Sequence, residues 1–95
     1  MMRLYVQYSA QLRTAIGRAE ETVDLPEGSS VHSLLQHIGN NRGEHVALHL
    51  FNRAGEAQPS LMVALNGSAI PPIAARSTAL KAGDTIALMP PIAGG

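Results

Sequence analysis

The 95-residue chain contains no cysteine, which excludes disulfides, thiolate metal sites and a nucleophilic thiol, so any sulfur chemistry has to be supplied from outside. Charge is also scarce, at 15% of residues, and seven basic side chains balance seven acidic ones. A net charge of zero leaves no electrostatic footprint for nucleic acid or for an anionic membrane surface. No apolar run approaches the roughly 20 residues of a membrane span, and no basic region followed by an apolar signal core opens the chain. The expectation is a soluble, cytoplasmic protein. The glycines are dispersed and form no phosphate cradle, so the chain is not expected to bind ATP itself. Repeats, low-complexity tracts and linkers are likewise missing. What is present is 45% hydrophobic residues, enough for one modest core and a single domain over 1–95.

Apolar periodicity orders that domain. Met2, Leu4, Val6 and Tyr8 alternate with polar or amphipathic positions, the pattern of a half-buried strand. Residues 9–16 suit a short helical piece with Gly17 as its left-handed stop. Alternation returns over 20–25 and stops at Pro26-Glu27-Gly28, so the first two strands should pair antiparallel across a short connection. Val31, Leu34, Leu35 and Ile38 form one helical stripe behind a serine cap, and Gly39-Asn40-Asn41 reads as its end. Between 42 and 60 two readings stay open, because Val46, Leu48 and Leu50 alternate like a strand while 44–50 equally suits a helical turn. Asn52-Arg53-Ala54-Gly55-Glu56 reads as a turn. Leu61-Met62-Val63-Ala64-Leu65 is a buried strand running into the Asn66-Gly67 hairpin signal, with 68–70 returning. Residues 73–80 read as a surface crossing and Lys81-Ala82-Gly83-Asp84 as a tight turn. The run 85–89 is apolar enough for a central strand that ends at Pro90. The resulting class is α+β: a mixed sheet packed on one main helix, with the first and last strands parallel at its centre.

Side chains that invite chemistry mostly have an ordinary account. His45 and His49 are four apart, a spacing that shares a helix face, yet no cysteine or obvious third ligand joins them, and no metal site is expected. His32 and His37, five apart, do not share a face; all four histidines read as solvent-exposed or hydrogen-bonded. Glu20 and Glu21 are neighbours on a strand, point to opposite faces, and read as solvated charge. Ser9, Ser60, Ser68 and Ser77 lack a histidine or acid that sequence can place beside them. Met62 and Met89 read as core or interface filling.

The last six residues, Pro90-Pro91-Ile92-Ala93-Gly94-Gly95, stand apart because they reach the terminal carboxylate without a charged side chain. Two prolines favour a stiff, extended path that cannot join a central ladder. Two glycines carry no Cβ, so the end is narrow enough to pass a channel that other side chains would block. The segment reads as a slim arm at 90–95 carrying one reactive group, the carboxyl of Gly95, on a carbonyl that no Cβ crowds. Apolar Leu88, Met89 and Ile92 near its exit imply hydrophobic, weakly salt-dependent docking.

Leu80 to Gly95, with its leucine, Gly-Asp turn, apolar strand, Pro-Pro and closing Gly-Gly, closely resembles the C-terminal signature of the MoaD/ThiS sulfur-carrier family. Val63-Ala64-Leu65-Asn66-Gly67 looks like that family's strand before an Asn-Gly turn, and Ser30-Val31 leading into Leu34-Leu35 matches its main helix. The chain departs from the pattern in having Leu88-Met89 where an aromatic residue is frequent before Pro-Pro, and in a longer 42–60 region. The resemblance implies a β-grasp, ubiquitin-like fold. It also implies that a MoeB-like adenylating enzyme uses ATP to form an acyl-adenylate on Gly95, that a sulfur donor protein converts this to a thiocarboxylate, and that Gly94 accompanies Gly95 in the reaction. Leu88, Met89, Pro90, Pro91, Ile92 and Ala93 would form the partner-binding segment. In the MoaD branch, which the Pro-Pro favours, the chain would be the sulfur-donating small subunit beside the molybdopterin synthase large subunit in molybdenum cofactor biosynthesis, itself non-catalytic and holding no cofactor. Alternatives are a carrier for cysteine, thiamine or another thio-metabolite, a ubiquitin-like protein modifier, and an interaction module whose tail is incidental.

Overall fold

A computed structural model of the protein describes residues 1–90. The elements are β1 (Met2–Tyr8), α1 (Ala10–Ile16), β2 (Glu20–Leu25), α2 (Val31–Arg42), α3 (Glu44–Leu50), β3 (Met62–Leu65), β4 (Ser68–Ile70), a 3-10 turn (Pro72–Ala74) and β5 (Thr85–Met89). They build one five-stranded sheet in the order β2-β1-β5-β3-β4. β1 pairs antiparallel with β2 and parallel with β5, and β5 pairs antiparallel with β3. The parallel central pair is the one the apolar patterns of the first and last strands predict. With α2 behind it, this is the β-grasp arrangement.

Period two decides which residues meet. Met2, Leu4, Val6 and Tyr8 from β1, Val23 and Leu25 from β2, Val63 from β3, and Ile86 and Leu88 from β5 are buried with the α2 stripe of Val31, Leu34, Leu35 and Ile38. A core of fully buried branched aliphatic side chains is worth about 1.5–3 kcal/mol for each one removed from water, and it holds the helix to the sheet. α2 begins as the serine signal indicated. Ser30 Oγ accepts from the Ser33 backbone N–H at 3.1 Å, and Ser33 Oγ accepts from the Ser30 N–H at 3.3 Å, so two otherwise free donors are satisfied reciprocally.

Its end lies elsewhere than Gly39-Asn40-Asn41. The helix continues to Arg42 and stops at Gly43, whose φ of 96° lies in the region that favours glycine. Gly39 is instead a contact point: a Cβ there would meet the Ala47 Cβ at 3.4 Å and the Phe51 ring at 3.6 Å. Gly39 thus lies where α2 packs on α3, at distances a Cβ would fill as ordinary van der Waals contact. The open segment is thereby resolved as a helix, with Val46 and Leu50, four apart, buried and Leu48 turned to solvent. One main helix is therefore joined by two shorter ones.

Two further expectations are corrected. Glu21 is not solvated: its side chain is 10% exposed, accepts a hydrogen bond from the Tyr8 hydroxyl and pairs with Arg42, with Arg18 at 3.7 Å. This network ties β1, β2 and the last turn of α2 together. Burial, and then the bond donated to Glu21, push the Tyr8 phenol well above its usual range. The crossing over 73–80 is also more than surface chain, since Ala75 and Leu80 are buried. Its carbonyls at Thr78 and Ala75 accept from the Val31 and His32 N–H groups at 2.9 and 3.0 Å, and the Leu80 N–H donates to Ser29 O at 2.9 Å. The crossing thus satisfies backbone donors in the first turn of α2.

Candidate functional site at the end of the central strand

β5 is placed from both ends. At its start the Lys81-Asp84 turn closes through the Lys81 N–H donating to Asp84 Oδ2 at 2.7 Å, and the Gly83 N–H donates to Arg3 O at 2.8 Å. Asn66 links this turn to the β3–β4 hairpin. Its Nδ2 donates to Asp84 Oδ1 at 2.9 Å, and its Oδ1 accepts from the Thr85 N–H at 2.9 Å. The Asn-Gly and Gly-Asp signals, separate in sequence, are one hydrogen-bonded unit that fixes the register of β5. Nothing in the local patterns announces that coupling, because it spans 18 residues.

At the other end, β5 pairs Leu88 with Tyr8 and Met89 with Met62. Leu88 is 0% exposed, so its side chain anchors the strand in the core and is not available to a partner; the expectation of a docking role for Leu88 is corrected by the inward phase of the strand. Met89 has the outward phase and is half-buried, and Pro90, the last described residue, is buried. The expectations for Pro91, Ile92, Ala93, Gly94 and Gly95 fall outside the described residues.

Beside Met89 lies a groove of about 350 Å³ whose walls include Pro59, Met62, Ile70, Pro71 and Pro72, with no charged side chain among its lining residues. Met62 is 60% exposed there, so its role is at the surface and not in the core. The outward face of the sheet continues the same character, with small or apolar Ala64, Ala69 and Ala87 near Met62 and Met89, and Tyr5 exposed on β1. An exposed flexible thioether among prolines and alanines suits apolar association.

The histidines divide. His37 and His45 are exposed, and the His45 ring lies 3.3 Å from Ala15 O. His49 shares the α3 helix with His45, but among the described residues no three His, Asp or Glu side chains converge on a metal position. His32 is buried without a hydrogen bond on either ring nitrogen, an outcome that neither exposure nor bonding anticipated. Among the described residues no helix is long and apolar enough to cross a membrane.

The β-grasp fold and the family match place the chain among the small sulfur-carrier and ubiquitin-like proteins. The chain belongs to the ThiS family, whose model matches residues 6–95. It is similar to SAMP1 from Haloferax volcanii, at 30% identity and a TM-score of 0.78, over 98% of this chain and 99% of that one. The putative molybdopterin converting factor subunit 1 from Pyrococcus furiosus is 28% identical, with a TM-score of 0.74 and coverage of 97% and 100%. The HVO 2177 protein of Haloferax volcanii has 26% identity, a TM-score of 0.83, and coverage of 99% and 87%. No curated protein matches the chain by sequence.

Proposed function

We propose that this chain is a sulfur carrier whose Gly95 carboxyl is activated and thiolated, and that it serves as the small subunit of a molybdopterin synthase. The observation that carries the reading is the reach of the family match, which runs through Gly94-Gly95 to the last residue. The chemistry follows from a free carboxylate on an unhindered glycine. A carboxylate oxygen attacks the α-phosphorus of ATP, held by a MoeB-like adenylating enzyme, and pyrophosphate leaves. The terminal sulfur of a donor persulfide then attacks the acyl carbon, AMP leaves, and reduction of the acyl disulfide by a thiol releases the thiocarboxylate. This chain contributes the acyl group and a docking surface, with Met62 and Met89 beside the uncharged groove and Pro90-Pro91 limiting the entropy lost when the arm is held by a partner.

The subunit assignment is supported by the likeness to the Pyrococcus furiosus converting factor. A second reading, conjugation to other proteins, is supported by the likeness to SAMP1, a small archaeal modifier protein. Activation is common to both and is tested by ATP–pyrophosphate exchange with the cognate adenylating enzyme. Exchange should require this chain and should be lost when one residue is added after Gly95; exchange that survives the extension would contradict the reading. Recovery of a molybdopterin synthase large subunit on co-purification supports the subunit role, whereas Gly95 adducts on partner lysines support the modifier.

A further inference from the structure

His32 sits in the first turn of α2 at 4% exposure, with neither Nδ1 nor Nε2 hydrogen-bonded. Its ring stands edge-on to Phe51, with centroids 5.5 Å apart and planes at 70°. The segment bonded to its backbone is the 72–80 crossing, whose Ala75 carbonyl accepts the His32 N–H at 3.0 Å. That crossing is held to the 52–56 turn by Arg76, which donates to both carboxylate oxygens of Glu56 at 2.9 and 3.0 Å. Ring, crossing and turn therefore form one small assembly with a single ion pair across it.

We propose that this assembly is an acid-released latch: protonation of His32 detaches the 72–80 crossing from the first turn of α2 while the sheet stays folded. Three features of the closed form oppose a charge on the ring. The ring is buried, it lies at the positive end of the α2 dipole, and Arg76 faces it from the crossing. Among the described residues Glu56, from the turn, is the facing group that favours the charge, and it is already engaged by Arg76. Burial first, and then Arg76, hold the imidazole below its ordinary range of about 6.5, with Glu56 acting the other way.

A proton that does bind finds no bonded acceptor among the described residues, so the ring gains most by moving toward Glu56 or water. Either movement competes with the Arg76–Glu56 pair and with the backbone bonds from Val31 and His32 to the crossing. The crossing carries Ile73, which is 94% exposed, and with Pro72 this residue walls a groove of about 480 Å³ that also includes Glu56 and Pro59. Release would dismantle that groove. The groove beside Met89, which shares Pro59 and Pro72 with it, would be reshaped rather than lost, because Met62 and Met89 are held by the sheet.

The test is an NMR titration of the labelled full-length chain from about pH 8 to about pH 5, following histidine ring signals and backbone amides, with exchange rates corrected for their intrinsic pH dependence. The expected result is a His32 midpoint below 6.5, with loss of protection over 75–80 at the same midpoint and retained protection in β1 and β5. Arg76→Gln should raise the midpoint and Glu56→Gln should lower it. Both substitutions break the ion pair, so opposite shifts report on the ring's charge and not on the pair as a brace. His32→Phe should abolish the acid-linked opening; if that variant does not fold, the two opposed shifts decide the matter. A crossing insensitive to pH while His32 titrates, shifts of one sign in both variants, or simultaneous loss of protection throughout the sheet would overturn the proposal.

Discussion

Two largely buried polar side chains, Glu21 and His32, stand at opposite ends of α2, and their surroundings are built oppositely. At its C-terminal end, Glu21 accepts from Tyr8 and pairs with Arg42, so a carboxylate that is nine-tenths covered has partners on both oxygens. At its N-terminal end, His32 is as deeply covered and has no hydrogen-bond partner on its ring among the described residues. A satisfied cluster adds cross-links between elements, here β1, β2 and α2, and its removal leaves orphaned groups. An unsatisfied one holds only while the group stays neutral, which makes it conditional on pH. One end of the helix is fastened by a bonded side-chain network, whereas at the other the backbone bonds to the crossing stand beside an unbonded ring.

The largest way to break this contrast is Glu21→Ala, which strands the Tyr8 hydroxyl and the Arg42 guanidinium; a loss of about 3 kcal/mol is expected in urea-monitored unfolding. Ser30→Ala removes the reciprocal cap that begins the His32 turn, and should cost about 1 kcal/mol by the same measurement. Next in size is a pH effect. Folding lowers the proton affinity of His32, so on acidification the unfolded chain takes up its proton first. The stability conferred by the neutral ring is then complete above pH 6.5, and it is lost as pH falls through and below that value. Melting curves should show a steeper acid decline for the natural chain than for His32→Phe. Smallest is Arg76→Gln at neutral pH, where an exposed pair should leave the melting temperature unchanged within error.

What could be read from the sequence follows the reach of each signal. The alternation of Met2, Leu4, Val6 and Tyr8, the spacing of Val31, Leu34, Leu35 and Ile38, and the Asn66-Gly67 turn are local patterns, and the structure keeps them. Their apolar phases also led to the parallel centre of the sheet. Gly39 misled because a glycine inside a helix looks like a stop, whereas the positive-φ stop is Gly43, four residues on. Glu21 and His32 misled for another reason: their partners, or lack of them, depend on Tyr8, Arg42, Glu56 and Arg76, which lie 13 to 44 residues away in the chain. Leu88 reads as part of a docking segment by its nearness to the arm, but the strand's period of two sends it into the core and leaves Met89 outward. The Asn66–Asp84 bond, which joins two family motifs, has no local signature of any kind.

The central claim concerns the last carboxyl group, and intact-mass spectrometry reads it directly. The full-length chain is incubated with its adenylating enzyme, ATP, a persulfide donor and a thiol reductant. The account predicts a product heavier by the difference between one sulfur and one oxygen, with the change mapped to Gly95. An unchanged mass under conditions where pyrophosphate is released would contradict it.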